Sequence, residues 1–198
     1  MNQYIFFLDW LANNSSRIES LINNGQSNSV AELISNELDR ISPDISWEIG
    51  ANKNGEIELT ISAQGDKSLG KLLDELFVDC PSIPKWKLYR YKQPKSFSTL
   101  SRLIDAQGYH LEVENIKVQI ALNSSRTKVD IELASPDFSQ VPSDRLLGLT
   151  FFVLDGVLGE QITEEWIGKI NVDVAGSESA GLLLSDLPKF MKELIEEL

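Results

Sequence analysis

The sequence predicts an α+β protein with two ββαβ units, whose antiparallel hairpins pack against helices, preceded by an N-terminal helical pair. Three observations predict this fold class. The first forty residues carry apolar residues at helical spacing. Two later segments alternate apolar and polar residues on either side of short turn sequences. A helical pattern and one more alternating stretch follow each of these pairs, as a crossover to a third strand requires.

The chain has 198 residues, which suits one large domain or two small ones, and we expect a single domain. Within it the pattern separates four parts: a helical pair at 1–42, ββαβ units at 43–95 and 112–176, and a C-terminal helix at 185–198. The two ββαβ units share little residue identity, so the internal repeat is topological. The pattern leaves open whether their strands form one sheet or two.

The helical pair and the first unit are marked by turn residues. Apolar residues recur at helical spacing until Asn23-Asn24-Gly25, and Ser27 or Ser29 is suited to cap a second helix that Pro43 ends. Strands at 45–49 and 57–61 flank an Asn-Gly turn, which is a strong hairpin signal. An amphipathic helix then starts near Asp66, and the third strand is predicted at 86–91.

The second unit repeats this order with a more apolar crossover helix. A helix over 97–106 leads into strands at 116–122 and 129–133, joined by a short polar turn. The crossover helix is predicted at 143–158 and the third strand at 170–174. Ser185 is suited to cap the last amphipathic helix.

The net charge of the chain indicates which classes of binding partner to expect. Eighteen basic and thirty acidic residues give a formal net charge of -12, and hydrophobic residues make up 42% of the chain. The hydrophobic content is sufficient for a core. The negative charge disfavours non-specific binding to nucleic acid or to anionic membranes, because both are themselves negative. It favours a basic protein as partner.

Several features predict a soluble cytoplasmic protein. Cys80 is the only cysteine, so no intrachain disulfide forms, and a reducing compartment is the simplest interpretation. The first residues have no basic region before their apolar run, so they do not form a signal peptide. The longest apolar stretch, Leu146–Leu154, is about half the roughly 18 residues that a membrane-spanning helix needs.

The first candidate site is the acidic stretch after the apolar helix, LDGVLGEQITEEWIGKI, at Leu154–Ile170. On a helical wheel Asp155 lies opposite an apolar arc that includes Leu147, so we expect it on the less buried face. Gly159 fits a helix C-cap, which places Glu160 and the next two glutamates in a loop. Such carboxylates suit a divalent cation, but their spacing is not that of an EF-hand, and we assign no metal and no cofactor.

The second candidate site is the basic, aromatic segment Pro81–Ile104, which contains six basic residues and no acidic one. Its aromatic residues interleave with the charges, a pattern that suits an anionic ligand or a phosphorylated partner. In a strand, however, Trp86 points to one side, and Lys87, Tyr89 and Tyr91 point to the other. The alternative interpretation is therefore internal neutralisation of the acidic surface.

Patterns typical of catalytic sites are mostly missing from the sequence. His110 is the only histidine, which excludes a metal site with several histidines. The sequence contains no G-x-S-x-G, no phosphate-binding loop and no G-x-G-x-x-G. Cys80 follows an amphipathic helix instead of starting one, so no helix N-terminus stabilises its thiolate. A carboxylate-only hydrolase stays open, because pairs of carboxylates leave no spacing signature.

A series of segments stands out in the chain: Trp47-Glu48-Ile49-Gly50, then ELTISAQGD, CPSIPKWKLYRYKQP and FFVLDGVLGE with IGKI. Together they resemble a bacterial protein family of about this length whose function is unknown, and the resemblance covers residues 40–175. These are strand and helix-end signatures, so the resemblance implies a fold and a bacterial origin but no activity. In size, acidity and fold class the chain is also similar to bacterial immunity proteins, which neutralise secreted toxins.

These observations favour a non-enzymatic domain that binds a protein partner, with toxin neutralisation as one form of that function. A carboxylate-dependent hydrolase or metal-binding enzyme is the first alternative, and binding of an anionic ligand at the basic aromatic strand is the second. We assign no catalytic residue and leave the oligomeric state open. The predicted partner or ligand contacts are Glu48, Trp86, Lys87, Tyr89, Tyr91, Asp155 and Glu160.

Overall fold

The structure is a computed structural model that describes residues 5–176 and 181–197. The chain divides into two compact units, residues 1–91 and 92–198. Within the described ranges each unit has its own sheet and its own hydrophobic core, which confirms the α+β class and answers the question of one sheet or two. The prediction of a single domain stays a prediction.

The first unit consists of a helical pair and one ββαβ motif, as the pattern predicts. Its β1 and β2 pair antiparallel from Ser46 with Ser62 to Ala51 with Ile57, and β2 and β3 pair parallel from Ile57 with Trp86. The strand order is therefore β1-β2-β3. The elements are α1 (Ile5–Asn23), α2 (Ser27–Leu38), β1 (Ser46–Ala51), β2 (Ile57–Ser62), α3 (Lys67–Phe77) and β3 (Trp86–Tyr89).

Polar side chains fix the turns of the first unit. The Asn52 carboxamide oxygen accepts hydrogen bonds from the backbone N–H groups of Asn54 and Glu56, at 2.9 and 3.0 Å, and thereby closes the hairpin. The Asp66 carboxylate accepts from the first free N–H groups of α3, at 2.8 and 2.9 Å, which is an N-cap. The N-cap position of α2 is Gln26, so neither Ser27 nor Ser29 has the predicted capping role.

Two tryptophans connect the sheet of the first unit to its helices. The Trp47 indole N–H on β1 donates to the Ser35 hydroxyl on α2 at 3.2 Å. The Trp86 indole N–H on β3 donates to the Glu19 carboxylate on α1 at 3.0 Å. Both rings pack in or against the core, where a donor that found no acceptor would cost stability. These two bonds thus position the outer strands under the helical pair.

The second unit repeats the ββαβ order with a longer crossover. Its β4 and β5 pair antiparallel, β5 and β6 pair parallel, and the strand order is β6-β5-β4-β7. The short β7 pairs with the start of β4 and was not predicted. The elements are α4 (Phe97–Asp105), β4 (Lys117–Leu122), β5 (Val129–Ala134), α5 (Ser143–Leu158), α6 (Glu160–Trp166), β6 (Ile167–Asp173), β7 (Leu182–Leu183) and α7 (Leu187–Glu197). Leu198, the predicted end of the last helix, lies outside the described residues.

The stretch after Gly159 is a helix, so the predicted loop at Glu160 is wrong. Gly159 has a φ of +84°, which glycine adopts readily and other residues do not, and it does end α5. The chain then starts α6 at once, at 111° to α5. The Lys128 ammonium donates to the main-chain carbonyls of Glu164 and Ile167, at 2.8 and 3.2 Å, and so stabilises the far end of α6.

Among the described helices, none by itself combines the length and the apolar character that a membrane crossing requires. Only the bent pair α5 and α6, taken together, reaches that threshold by length and composition. Most of α5 lies in the core of the second unit, where residues such as Val153 and Leu154 have no exposed surface.

Close contact between α4 and α5 organises the core of the second unit. A Cβ built on Gly156 of α5 would lie 2.6 Å from Cδ1 of Leu100 on α4, closer than side chains approach. Leu100 itself has no exposed surface, so it has little room to move. The carbonyl of Gly156 also accepts the backbone N–H of Lys95 at 2.7 Å. A side chain at position 156 would therefore disturb both contacts.

Two glycines of α5 give a matched pair of variants that tests this contact. Gly156→Ala is expected to lower the free energy of unfolding by about 1–3 kcal/mol, because the added methyl group overpacks the core. Gly148→Ala is expected to raise it by about 0.5–1 kcal/mol, because alanine favours the helix and nothing lies within 4 Å of its Cβ position. Chemical denaturation of both variants measures these changes.

A double-mutant cycle with Leu100→Ala identifies the contacting side chain. The double variant should be less destabilised than the sum of the two single variants, since removing the leucine end makes room for the methyl group. Additive effects, or equal effects of Gly148→Ala and Gly156→Ala, would contradict the contact.

Candidate functional site

The acidic corner, which we define as Asp155, Glu160 and Glu164, holds the first residues of the second unit. The Glu160 carboxylate accepts the backbone N–H of Lys92 at 2.9 Å, and the Glu160 N–H donates to the Lys92 carbonyl at 3.0 Å. The Glu160 residue is only 2% exposed. Pro94 also packs on Gly159, with its Cδ 3.1 Å from the position of a Cβ there. The corner therefore binds the segment that precedes α4.

Asp155 lies beside this contact and is half-buried. The pKa of Asp155 is raised to about 6, mainly by burial and also by the nearby carboxylates of Glu160 and Glu164, against the opposing effects of Lys92 and Thr163. The wheel interpretation of Asp155 as a residue of the less buried face thus holds only in part. Its neighbour Gly156 is buried and packs against Leu100.

Within residues 5–176 and 181–197, no cluster of three or more histidine, cysteine or acidic side chains has the geometry to hold a metal ion. In the acidic corner, the Glu160 carboxylate accepts a hydrogen bond from a main-chain N–H, and the pKa of Asp155 is raised. The contacts of the acidic corner therefore contribute to the fold of the second unit.

Glutamates of the first sheet neutralise the basic aromatic strand. The Lys87 ammonium lies 2.8 Å from the Glu56 carboxylate, and this hydrogen bond raises the pKa of Lys87 and lowers that of Glu56. The Tyr89 hydroxyl donates to the Glu58 carboxylate at 3.4 Å. Burial is the main cause that raises the pKa of Tyr89, and the negative charge of Glu58 is the second. Asn52 donates to both glutamates and ties the two pairs together. This arrangement matches internal neutralisation.

Trp86, Arg90 and Tyr91 of the basic segment are also engaged within the first unit. Trp86 is 7% exposed and belongs to the core. The Arg90 guanidinium donates to Asp74 and to the carbonyl of Gly70, both at 3.0 Å, and its Cζ lies 4.3 Å from the centroid of the Tyr91 ring. The planar group is thus held from three sides, which a lysine could not reproduce.

Three further residues that the sequence singles out are Glu48, Cys80 and His110. Glu48 lies on β1 opposite Thr60 and is half-buried. His110 is exposed and its ring lies 3.1 Å from Asp105, and this hydrogen bond raises the pKa of His110. Burial raises the pKa of the Cys80 thiol, which opposes thiolate formation. Of the predicted contacts, Glu48, Trp86, Lys87, Tyr89 and Tyr91 therefore lie in the first unit, and Asp155 and Glu160 lie in the second.

Sequence reasoning missed an exposed apolar strip on α5, which we define as Leu147, Gly148 and Phe151. Leu147 is 53% exposed and Phe151 45%, although the wheel places Leu147 in the apolar arc. The two side chains are four residues apart and so lie on one side of the helix. The Cβ position of Gly148, between them, is open. The helix is apolar almost all round, so periodicity alone cannot distinguish this strip from the buried side.

Comparison of the chain with protein-family models, with curated proteins and with solved structures finds no match. The resemblance to a bacterial family and to immunity proteins therefore stays a prediction.

Asp155→Asn tests the buried carboxyl through the pH dependence of stability. The native pKa of Asp155, about 6, lies above the ordinary 3.8, so the native state takes up this proton first as the pH falls. At about pH 8 the charged carboxylate costs stability, and the variant should be more stable than wild type by on the order of 1–2 kcal/mol. The difference should shrink as the pH falls below about 6 and vanish below about 3.8, where Asp155 is protonated in both the native and the unfolded state.

Denaturant unfolding across this pH range measures the difference. Asp144→Asn is the control, because it removes an exposed carboxylate from the same helix. Two results would contradict an effect of Asp155 burial. One is a stability difference between wild type and Asp155→Asn that does not change with pH, and the other is the same pH dependence for Asp155→Asn and Asp144→Asn.

Glu160→Ala tests the contact with Lys92. The variant leaves the Lys92 N–H without its side-chain acceptor, so we expect the free energy of unfolding to fall by about 1–3 kcal/mol. Glu165→Ala, five residues further along α6 on an exposed position, should change it by less than about 0.5 kcal/mol. Amide exchange of the Lys92 N–H should accelerate only in the first variant. Unchanged exchange there would contradict the hydrogen bond.

Proposed function

We propose that the protein is a non-enzymatic interaction domain that binds another protein through the apolar strip on α5. The observation that carries this proposal is the exposure of Leu147 and Phe151 on one side of a helix whose other large apolar residues belong to the core of the second unit. Large apolar side chains that share one exposed face are typical of protein contact surfaces.

The geometry of the strip suits a close apolar contact. Phe151 supplies an aromatic anchor of the type enriched at interfaces, and Leu147 lies one turn before it. Gly148 has open space around its Cβ position, so a partner side chain could approach the helix backbone there. The helix itself is fixed by its buried side, which limits the entropy lost on binding.

The alternative functions draw less support from the contacts described. The carboxylate of Glu160 accepts a main-chain hydrogen bond, and Lys87 is paired with Glu56. Both groups would have to exchange these partners for a substrate or an anionic ligand. Toxin neutralisation is a special case of protein binding, and the apolar strip supports the general function without selecting that partner. A cytoplasmic setting is likewise part of the proposal.

Photo-crosslinking from position 151 tests the proposed surface. A benzoylphenylalanine at Phe151 should give one discrete protein adduct in lysate of the source cells, because the residue would lie inside the interface. The same residue at Val174, which is equally exposed at 45%, is the matched control and should give no such adduct. Mass spectrometry identifies the adduct.

The variant Leu147→Ser should abolish the adduct from position 151, since it removes the neighbouring apolar contact while leaving the fold intact. Diffuse or equal labelling from positions 151 and 174 would overturn the proposal. An adduct between two copies of this chain would replace the separate partner with self-association.

A further inference from the structure

An apolar groove lies in the first unit, far along the chain from the strip on α5. It has a volume of about 270 Å³ and lies where α1 meets the end of α3 and the residues after it. Its apolar lining residues are Leu8, Leu76, Val78 and Pro81. Leu8 and Leu76 are each 3% exposed and belong to the core, so they form a fixed floor.

The charged residues that line this groove, within the described part of the chain, are all acidic. They are Asp9 on α1, Glu75 on α3 and Asp79 just after α3. All three are exposed, so their charges face solvent. Carboxylates that surround an apolar floor attract a cationic partner and repel an anionic one.

Two exposed apolar side chains lie in this groove or close to its residues in the chain. Val78 is 76% exposed and lies between Glu75 and Asp79 in the chain. Phe6 is 59% exposed and lies one helical turn before Asp9 on α1. Apolar surface and negative charge thus alternate over a short distance, which suits a segment that combines apolar and basic residues.

We propose that this acidic groove, defined by Asp9, Glu75, Val78 and Asp79 over the Leu8 and Leu76 floor, binds a basic segment of another protein that inserts apolar side chains. The volume admits a small number of aliphatic side chains, and flanking lysines or arginines would pair with the carboxylates. The net charge of -12 assists the encounter with such a segment. The inference does not rest on the strip on α5, because it uses other residues in the other unit.

A synthetic peptide serves as the probe. It carries two leucines flanked on both sides by lysines and a fluorescent label, and its anisotropy is followed against the full-length chain. We expect saturable binding that weakens with added salt, because exposed charges are screened. Two control peptides have the lysines replaced by glutamate or the leucines by serine, and each should bind at least about tenfold more weakly.

Charge-matched variants of the protein locate the binding. The variant D9N/E75Q/D79N should weaken binding about tenfold. The control variant D144N/D186N/E193Q removes the same number of exposed carboxylates from the second unit and should leave binding within about twofold. Val78→Ser should weaken binding several-fold, whereas Val174→Ser should not. All of these positions are exposed, so thermal unfolding is expected to show that the variants stay folded.

Three results would overturn this inference. Equal weakening by the two triple variants would mean that the peptide responds only to net charge. Equal binding of the leucine and serine peptides would mean that the apolar floor is not used. Absence of saturable binding, or sedimentation that shows two copies of the chain associating through Val78, would exclude a basic segment of another protein as the occupant.

Discussion

The second unit depends on the reciprocal hydrogen bonds between Lys92 and Glu160. They fix the start of the segment that enters α4, and Lys95 then bonds to Gly156 before Leu100 of α4 packs on the same glycine. The corner between α5 and α6 thus sets the path of a chain segment more than fifty residues earlier in the sequence. Because Gly159 makes that corner with a positive φ, one backbone conformation supports the whole set of contacts.

Most of the fold could be predicted from the sequence because strands and helices repeat at different periods. The alternation at 57–61 and 129–133 and the limits of α5 correspond closely to the structure. The exceptions have local causes. Gly159 ends a helix as expected, but the next helix is stabilised by contacts of Glu160 and Lys128 with residues distant in sequence. Such contacts leave no periodic signal, so a stop and a sharp bend look alike in the sequence.

The candidate surfaces were harder to predict, because charge in a sequence says nothing of its partners. Lys87 is neutralised by Glu56 only because β2 and β3 are parallel in a register that places Ile57 beside Trp86. The exposure of Leu147 could not be predicted from the sequence either, because α5 carries apolar residues on every side. The groove beside Val78 combines residues of α1 and α3 that lie about seventy positions apart.

The mixed sheets have a consequence for the order in which each unit assembles. The antiparallel strands β1 and β2 are joined by residues 52–56 alone, so this hairpin closes a short loop and forms early. The parallel strand β3 can pair with β2 only after the connecting residues 63–85 have been synthesised. The strand β6 likewise needs the longer connection through residues 135–166. During synthesis each hairpin therefore exists for a time with its second strand as an open edge. Since open strand edges can pair with other extended chains, β3 and β6 protect the growing protein from aggregation when they cover β2 and β5.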